Sequence, residues 1–394
     1  TGTTYGIALQ VTGGANDNTI QGCQISSPVV ASTSNLMAVI YGPSGSVDSR
    51  NKFLGNTING GAYTFYWYGS GTTAMDTATV FDGNIMTNMY YMGVYQYYGY
   101  APIMKNNTLI HNSAYSTHYG WYSYYIYGPF EFTGNKVNEP NASGTSYGVL
   151  IYSSGTANNA GSYPLWANNF ISINAGGSTA YGMYMYYQSY AKAYHNTIHL
   201  RSTYATSTGM YVYYGDNIQL RNNIVYCPSG AMPYYWYPNT NILAADRNIF
   251  YSTGTYFGYY NGTYYANLAA WQTATAKEAL SKSTTVTFAN PATCDLHLAG
   301  ASQYDPNLTS VMLPEIPTDI DGDVRVIPYI GADEACYILP AQVKFELRDG
   351  NGQKASYVEI PGTLYLYYDV NFPNTAASIT ATVKLYNAVT NALV

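Results

Sequence analysis

Two short patterns alternate along most of the chain, and their spacing is the feature that most constrains its fold. The first is an asparagine that precedes β-branched or apolar residues, 23 to 38 residues apart, at Asn18, Asn56, Asn84, Asn107, Asn135, Asn169, Asn196, Asn223 and Asn248. The second begins with glycine and carries tyrosine two and four residues later, as in Gly93-Val-Tyr-Gln-Tyr-Tyr and Gly209-Met-Tyr-Val-Tyr-Tyr. In the middle of the chain each asparagine is followed 13 residues later by one of these glycines. The two patterns therefore predict a repeated unit of about 27 residues.

The repeat predicts an all-β fold, a right-handed parallel β-helix. Its short apolar runs and turn residues lack a helical period, and a propeller blade needs about 40 residues or more. In a parallel β-helix, equivalent residues of successive coils stack about 4.8 Å apart. Asparagine suits such a corner because it tolerates left-handed turns and its amide can bond to the next asparagine. We therefore expect the nine asparagines to form one structural corner, with handedness set by the general crossover preference.

The glycine pattern predicts a face of stacked tyrosines. Side chains alternate along a strand, so the first and third residues after each glycine, which are more apolar, are assigned to the core. The predicted outward residues are Tyr63, Tyr95, Tyr97, Tyr122, Tyr124, Tyr184, Tyr186, Tyr211 and Tyr213. Such a face stabilises the coils by cross-strand contact, or binds copies of the chain, or stacks on sugar rings. The sequence leaves these three roles open.

Composition excludes several classes of protein. Of the 394 residues 48 are tyrosine, only 9% are charged, and the formal net charge is −6. Nucleic-acid binding and anionic membrane surfaces both favour a basic face, so neither is expected. No apolar run approaches the roughly 18 residues of a membrane span, so membrane insertion is not expected either. The chain starts with Thr1 in what reads as a coil strand without a cap, which we interpret as the start of either a processed or a truncated protein.

From residue 267 onward the sequence resembles the closing segment of bacterial secreted right-handed parallel β-helix proteins of the pectate-lyase-like superfamily. The motifs that carry the resemblance are Asn267-Leu-Ala-Ala-Trp-Gln-Thr-Ala-Thr, Asp295-Leu-His-Leu, Thr318-Asp-Ile-Asp-Gly-Asp-Val-Arg and Tyr329-Ile-Gly-Ala-Asp-Glu. The resemblance covers residues 1–335 and implies secretion to the cell surface or beyond, with residues 267–335 closing the last coils. It says little about function, because many members have no known catalysis.

Residues 336–394 form a second predicted unit, an immunoglobulin-like β tail. Alternating strands are expected at 340–347, 355–360, 363–370 and 379–386, with a hairpin turn at 349–352. A full sandwich needs about seven strands and ~100 residues, so this small β-sandwich is either truncated or completed by a neighbouring subunit. An open sheet edge favours strand addition, which together with the uncapped start predicts a head-to-tail polymer.

Candidate chemistry is sparse. The alternating acids Asp319, Asp321 and Asp323 are a weak candidate calcium site and are interpreted as a turn, and no other metal and no cofactor is expected. Cys294 and Cys336 flank the closing segment and are a candidate disulfide. His111 and His118 have no carboxylate nearby in the sequence and are given no metal role.

The leading hypothesis is an extracellular structural protein, a self-assembling filament subunit or a surface stalk or adhesin, without catalytic residues. One alternative is a polysaccharide lyase or glycoside hydrolase of the same fold, which would need paired acids on neighbouring coils. Residues 1–270 hold only eight acids, and none recurs at one offset in adjacent coils. The second alternative is a glycan-binding module with surface glycans as partners.

Overall fold

The computed structural model describes residues 4–113, 115–153 and 158–335, and the backbone of two strands, Gln342–Arg348 and Tyr365–Asn371. The chain divides into two compact units, residues 1–335 and residues 336–394. The first unit is all-β apart from short helices, and its parallel coils confirm the predicted β-helix.

Three parallel sheets run the length of the solenoid, and each coil contributes one strand to each sheet, giving about nine coils. The tyrosine sheet consists of Leu9–Gln10, Ala38–Gly42, Tyr63–Tyr68, Met92–Tyr100, Thr117–Tyr127, Thr145–Tyr152, Ala180–Tyr186, Thr208–Tyr213, Met232–Trp236, Gly258–Tyr260 and Thr263–Tyr265, with Asp76–Thr77 paired to Met92–Tyr100. The short sheet consists of Thr19–Gln21, Lys52–Leu54, Val80–Asp82, Ile103–Lys105, Glu131–Thr133, Leu165–Ala167, Lys192–Tyr194, Ile218–Arg221 and Ile242–Asp246. The asparagine sheet consists of Gln24–Ser27, Thr57–Gly60, Ile85–Thr87, Thr108–Ile110, Lys136–Glu139, Phe170–Gly176, Thr197–Ser202, Ile224–Cys227, Ile249–Ser252 and Lys282–Ser283.

Large side chains fill the inside of the coils. Trp67, Trp121 and Trp166 are fully buried, and Phe53 stacks on Phe81 of the next coil with ring centroids 5.6 Å apart. Burying a side chain of this kind stabilises a fold by roughly 1.5–3 kcal/mol. The pattern glycines lie near the start of the tyrosine-sheet strands, where the chain is crowded: a Cβ on Gly120 would lie 2.5 Å from the carbonyl oxygen of Gly148.

The last coil is closed by a hairpin and a helix. The strand Thr263–Tyr265 turns back antiparallel on Gly258–Tyr260, which ends the parallel order of the tyrosine sheet. The helix Leu268–Thr275 follows, capped by the side chain of Asn267, which accepts a hydrogen bond from the backbone N–H of Ala270. Trp271 of this helix is fully buried against Tyr234 and Trp236. This helix therefore covers the apolar interior at the end of the last coil.

The rest of the closing segment lies along the side of the solenoid instead of at its end. Apart from the 3₁₀ helix Asn35–Met37 near the first coils, the described 3₁₀ helices all belong to this segment: Pro291–Thr293, Gly300–Tyr304 and Pro306–Leu308. The segment also contains an antiparallel pair, Phe288–Asn290 with Asp295–Leu298. Its apolar residues pack on Phe170, Ile224 and Ile249, which point outward from the asparagine sheet. This segment therefore shields apolar residues on the outer surface of several coils from solvent.

Of residues 336–394 the structure describes one antiparallel pair, Gln342–Arg348 with Tyr365–Asn371. Two of the predicted tail strands fall on this pair. The predicted hairpin turn at 349–352 and the strands at 355–360 and 379–386 lie outside the described residues, so the β-sandwich stays a prediction.

Candidate functional site

The tyrosine sheet presents its tyrosines outward, as its alternation predicts. Val94, Gln96, Met183 and Met185 at the inward positions are fully buried, whereas the intervening tyrosines are half-buried. Even the polar inward residue Gln96 is accommodated, because its side-chain oxygen accepts a hydrogen bond from Ser123 of the next coil at 3.2 Å.

Two rows of outward residues make up what we call the tyrosine face. The first row is Tyr41, Tyr66, Tyr95, Tyr122, Leu150, Tyr184, Tyr211, Tyr235 and Tyr259. The second row is Tyr68, Tyr97, Tyr124, Tyr152, Tyr186, Tyr213 and Tyr237. Neither row contains a charged residue, so the face is continuous and uncharged.

Most rings in the two rows stack on their neighbours. The centroids of Tyr66 and Tyr95 are 4.9 Å apart with planes 14° from parallel, and those of Tyr68 and Tyr97 are 4.8 Å apart at 7°. Further along the second row the contacts of Tyr186 turn edge-on. Where rings stack, each ring covers the faces of its neighbours, so the face offers ring edges and phenol tips to a partner.

Tyr63 lies outside both rows, which corrects its predicted position. The strand register places Tyr63 beside Met92, and the residues that align with Tyr95 and Tyr97 are Tyr66 and Tyr68. Tyr63 is 95% buried, and its hydroxyl donates a hydrogen bond to the carbonyl oxygen of Thr33. The prediction failed because Gly61, with φ +72°, belongs to the turn before the strand.

A further set of tyrosines borders the second row and was not predicted. Tyr98, Tyr125, Tyr187 and Tyr214 each follow a second-row tyrosine and adopt a left-handed backbone, with φ between +47° and +57°. This conformation costs a non-glycine residue about 1 kcal/mol or more. The repeated Tyr-Tyr pair that ends each glycine pattern is the sequence feature that reveals them.

Leu150 interrupts the first row. It pairs with Tyr122 on one side and Tyr184 on the other, and being shorter it leaves a notch in the face. The notch has a volume of about 360 Å³ and is lined by Tyr119, Tyr122, Tyr124, Tyr147, Leu150, Tyr184, Tyr186 and Tyr213. With Leu150 between them, the rings of Tyr122 and Tyr184 each have a side that no first-row tyrosine covers.

Burial and crowding keep the phenols of the face neutral. Burial, and then the neighbouring phenols, raise to about 12 the pKa of Tyr152 in the second row and of Tyr119 and Tyr181, which lie beside Tyr122 and Tyr184 of the first row. The same two causes raise the pKa of Tyr95 and Tyr184 further. At neutral pH these groups therefore act as uncharged hydrogen-bond donors and acceptors.

Eight of the nine predicted corner asparagines form one hydrogen-bonded ladder. From Asn56 to Asn248, each side-chain amide donates to the amide oxygen of the asparagine in the next coil, at 2.8–3.2 Å. These residues are at most 1% exposed. The left-handed residue of each corner is the one before the asparagine, such as Gly134 or Asn168, and the ladder ends at Ser281 and Glu278.

Asn18 is not part of this ladder, which corrects its predicted position. Its amide bonds to Asn51 at a different corner, and it is exposed. Cys23 occupies the equivalent place in the first coil, and its backbone N–H donates to the amide oxygen of Asn56. The spacing of 38 residues between Asn18 and Asn56, longer than any other, marks the difference.

The candidate calcium residues have other partners. Asp319 accepts hydrogen bonds from the backbone N–H groups of Asp321, Asp323 and Glu334, which makes a turn. Asp321 bonds to His297 at 2.6 Å. Burial lowers the pKa of His297, but the hydrogen bond that its ring donates to Asp295 and the other nearby carboxylates raise it on balance, so this group forms ion pairs.

A buried acid in the first coils also accepts a hydrogen bond from the backbone. Asp48 and Asp76 lie at the same place in adjacent coils, which corrects the expectation that no acids recur at one offset in neighbouring coils. The backbone N–H of Asp48 donates to the carboxylate of Asp76 at 2.7 Å. Both are at most 3% exposed, and burial raises the pKa of Asp76 to about 6. They are therefore placed to hold a turn instead of meeting a polysaccharide.

The structure brings together one group of potential metal ligands that the sequence did not indicate, His111, His118 and Glu139.

Of the predicted disulfide, Cys294 is buried with its thiol 3.4 Å from the carbonyl oxygen of Val137, and Cys336 lies outside the described residues. The pairing stays a prediction. Among the described helices, none has the length and apolar character needed to cross a membrane.

The parallel coils and one family match together define the class of protein. Residues 2–162 match the family model described as right handed beta helix region. The chain is thus a right-handed β-helix repeat protein with tyrosine ladders. Searches of curated proteins and of solved structures found no match.

Proposed function

We propose that the chain is an extracellular structural protein, a filament subunit or a cell-surface stalk or adhesin, that binds copies of itself through the tyrosine face. The observation that carries this proposal is the continuity of that face over the coils without a charged residue in either row. Tyrosine offers a large contact area at low cost in side-chain entropy, together with a hydroxyl for hydrogen bonds. Because the face itself carries no charge, two copies that meet there bring no like charges into direct contact despite the net charge of −6.

The closed last coil affects how copies can meet. The hairpin ending at Tyr265 and the helix Leu268–Thr275 occupy the place where another coil would stack. A second copy therefore cannot simply continue the sheets beyond this end. We therefore propose that the main contact between copies lies on the side of the solenoid, and that any head-to-tail linkage is made through the β tail.

The proposal is tested with the full chain by sedimentation over a range of concentrations and by negative-stain electron microscopy. A triple variant, Tyr97→Ser, Tyr124→Ser and Tyr186→Ser, removes three phenols of the second row. The matched control replaces three exposed tyrosines outside both rows, Tyr5→Ser, Tyr204→Ser and Tyr304→Ser.

Ordered assemblies of the wild type and the control, with a folded monomeric face variant, would support the proposal. Circular dichroism establishes that the face variant keeps its fold. Wild-type protein that stays monomeric at every concentration would contradict it, as would a face variant that assembles like the wild type.

The notch at Leu150 favours a second candidate, a glycan-binding module. Tyr122 and Tyr184 are two coils apart, which corresponds to about 9.6 Å along the solenoid. Such a gap accepts one flat sugar ring between two aromatic rings. The test is a polysaccharide array with the wild type and with Leu150→Tyr, which fills the notch. Loss of binding in the variant would support a glycan site, and unchanged binding would contradict it.

A further inference from the structure

We propose that His111, His118 and Glu139 form a buried site for a divalent transition-metal ion, with Zn²⁺ as its probe. The three residues lie where the asparagine sheet turns toward the tyrosine sheet. His111 directly follows the strand Thr108–Ile110, His118 lies in Thr117–Tyr127, and Glu139 ends the strand Lys136–Glu139 of the next coil. Their positions in adjacent coils bring together residues that are up to 28 apart in sequence.

The geometry converges on one point. Each residue offers a ligand atom, and these atoms lie within 4.8 Å of one another. The two imidazole rings have centroids 4.8 Å apart. Zinc bonds to imidazole nitrogen and to carboxylate oxygen are about 2.0–2.2 Å long, so a shift of roughly one ångström in the side chains would bring all three into contact with one ion.

The polar atoms of the three side chains have few partners in the protein. All three residues are fully buried, yet no well-aligned hydrogen bond reaches either ring nitrogen of His111, Nδ1 of His118 or Oε1 of Glu139. Backbone hydrogen bonds with Tyr90, Tyr115 and Gly120 do shift the pKa values of His111, His118 and Glu139, but their geometry is too poor to satisfy these atoms fully. A buried polar atom without a partner costs about 1–3 kcal/mol, so several at one point indicate a missing ligand.

The chemistry of the set suits a cation. Two neutral imidazoles and one carboxylate are ligands that zinc and ferrous iron share, and together they leave positions open for further ligands. Burial raises the pKa of Glu139 to about 8 and, with His118 nearby, lowers that of His111 to about 3. A bound divalent cation would favour the ionised carboxylate and the neutral imidazoles, the states that ligate metal.

Serine side chains supply the outer contacts. Ser146 donates its hydroxyl hydrogen bond to the second oxygen of Glu139. Ser143 contacts Nε2 of His118 twice: its backbone N–H donates to that nitrogen at 3.3 Å, and its hydroxyl lies 3.4 Å away. Metal binding through Nδ1 would therefore require the imidazole proton on Nε2, where the Ser143 hydroxyl can accept it. Contacts of this kind orient metal ligands in proteins.

The other group of three potential ligands in the described chain, His297 with Asp321 and Asp333, differs in a decisive way. Both ring nitrogens of His297 are already bonded to carboxylates, those of Asp295 and Asp321. That histidine is therefore an ion-pair partner, whereas His111 and His118 have nitrogen atoms to offer.

The test measures bound metal in the full chain. Because the three residues are buried, the protein is produced in medium with added Zn²⁺, dialysed against a weak chelator and analysed by inductively coupled plasma mass spectrometry. The variants are Glu139→Gln and His118→Gln. The matched control is His199→Gln, a buried histidine whose Nδ1 also lacks a partner but which belongs to no group of ligands.

We expect about one zinc per chain in the wild type and in His199→Gln, and loss of the bound zinc in Glu139→Gln and His118→Gln, each of which removes a direct ligand. Zinc-free wild type, or zinc retained in both site variants, would overturn the proposal. If the variants do not fold, X-ray absorption of the zinc-loaded wild type decides. Two imidazoles around the zinc support the site, and fewer than two overturn it.

Discussion

The asparagine ladder and the tyrosine face are both columns of one residue type along the same solenoid, but they differ in what they leave for other molecules. Asn135 is fully buried and its amide is bonded to the coils on both sides. Tyr122 is half-buried, and its ring stacks on the ring of Tyr95 while its edge faces outward. A residue type that recurs in every coil therefore indicates a stacked column. Whether that column only holds the coils together, like the buried asparagines, or can also contact a partner, like the tyrosines, depends on its exposure to solvent.

Alkaline pH should have the largest effect, because it acts on the whole tyrosine face and hardly on the asparagines. A phenol whose pKa is raised in the folded protein, as for Tyr152 and Tyr181 at about 12, loses its proton more readily in the unfolded chain. Their contribution to stability is therefore complete below the unfolded pKa of 10.0 and is lost as the pH rises from there toward 12. We expect cooperative unfolding in that range.

The measurement is phenolate absorbance recorded together with far-ultraviolet circular dichroism, with the protein in denaturant as the reference. Much of the phenolate should appear only as the β-signal disappears. If all the phenolate instead appears near pH 10 while the coils stay intact, the face is neither buried nor crowded enough to hold its phenols neutral.

Breaking the asparagine ladder at one position should have the next largest effect. Asn135→Ala removes an amide that donates to Met104 and Asn169 and accepts from Asn107. Groups left buried without partners should lower the free energy of unfolding by about 4 kcal/mol. Denaturant titration measures this. Asn18→Ala is the control, since Asn18 is exposed and outside the ladder, and a loss above about 1 kcal/mol there would contradict the distinction.

The sequence could predict the coils because their determinants are local. An asparagine just before one strand and a glycine near the start of another recur from coil to coil, and the residue type at each place follows from that coil alone. The prediction failed where the spacing changed. In the first coil Cys23 takes the place expected for Asn18, and in the third Gly61 lies in a turn, so that Tyr66 and not Tyr63 joins the first row.

The metal-ligand group was beyond sequence reasoning for a different reason. His111 and His118 are close in sequence, but Glu139 joins them only because adjacent coils stack in register. The turns between the asparagine and tyrosine sheets differ in length from coil to coil, so their residues carry no repeat from which to infer a neighbour. The interruption at Leu150, by contrast, is visible in the sequence once the rows are aligned.

Removing one ring from the face should cost less than removing one amide from the ladder. Tyr122→Ala removes contacts with Tyr95 at 5.5 Å and Tyr119 at 5.2 Å, and we expect a loss of about 2 kcal/mol. Tyr122→Phe keeps the ring and should change the free energy of unfolding by less than about 0.5 kcal/mol. Equal losses in the two variants would show instead that the hydroxyl, and not the stacking, stabilises the row.

Completing the first row should have the smallest effect and the opposite sign. In Leu150→Tyr the new ring would lie between Tyr122 and Tyr184, where the strand register already places residue 150. Two new ring contacts should stabilise the fold by about 1 kcal/mol, measured as a higher denaturant midpoint. The variant also separates the two uses of the face: assembly through the rows should persist or strengthen, whereas sugar binding in the notch should disappear. A destabilised variant would mean that the leucine fills a site too narrow for a ring, and that the notch is not the open gap inferred here.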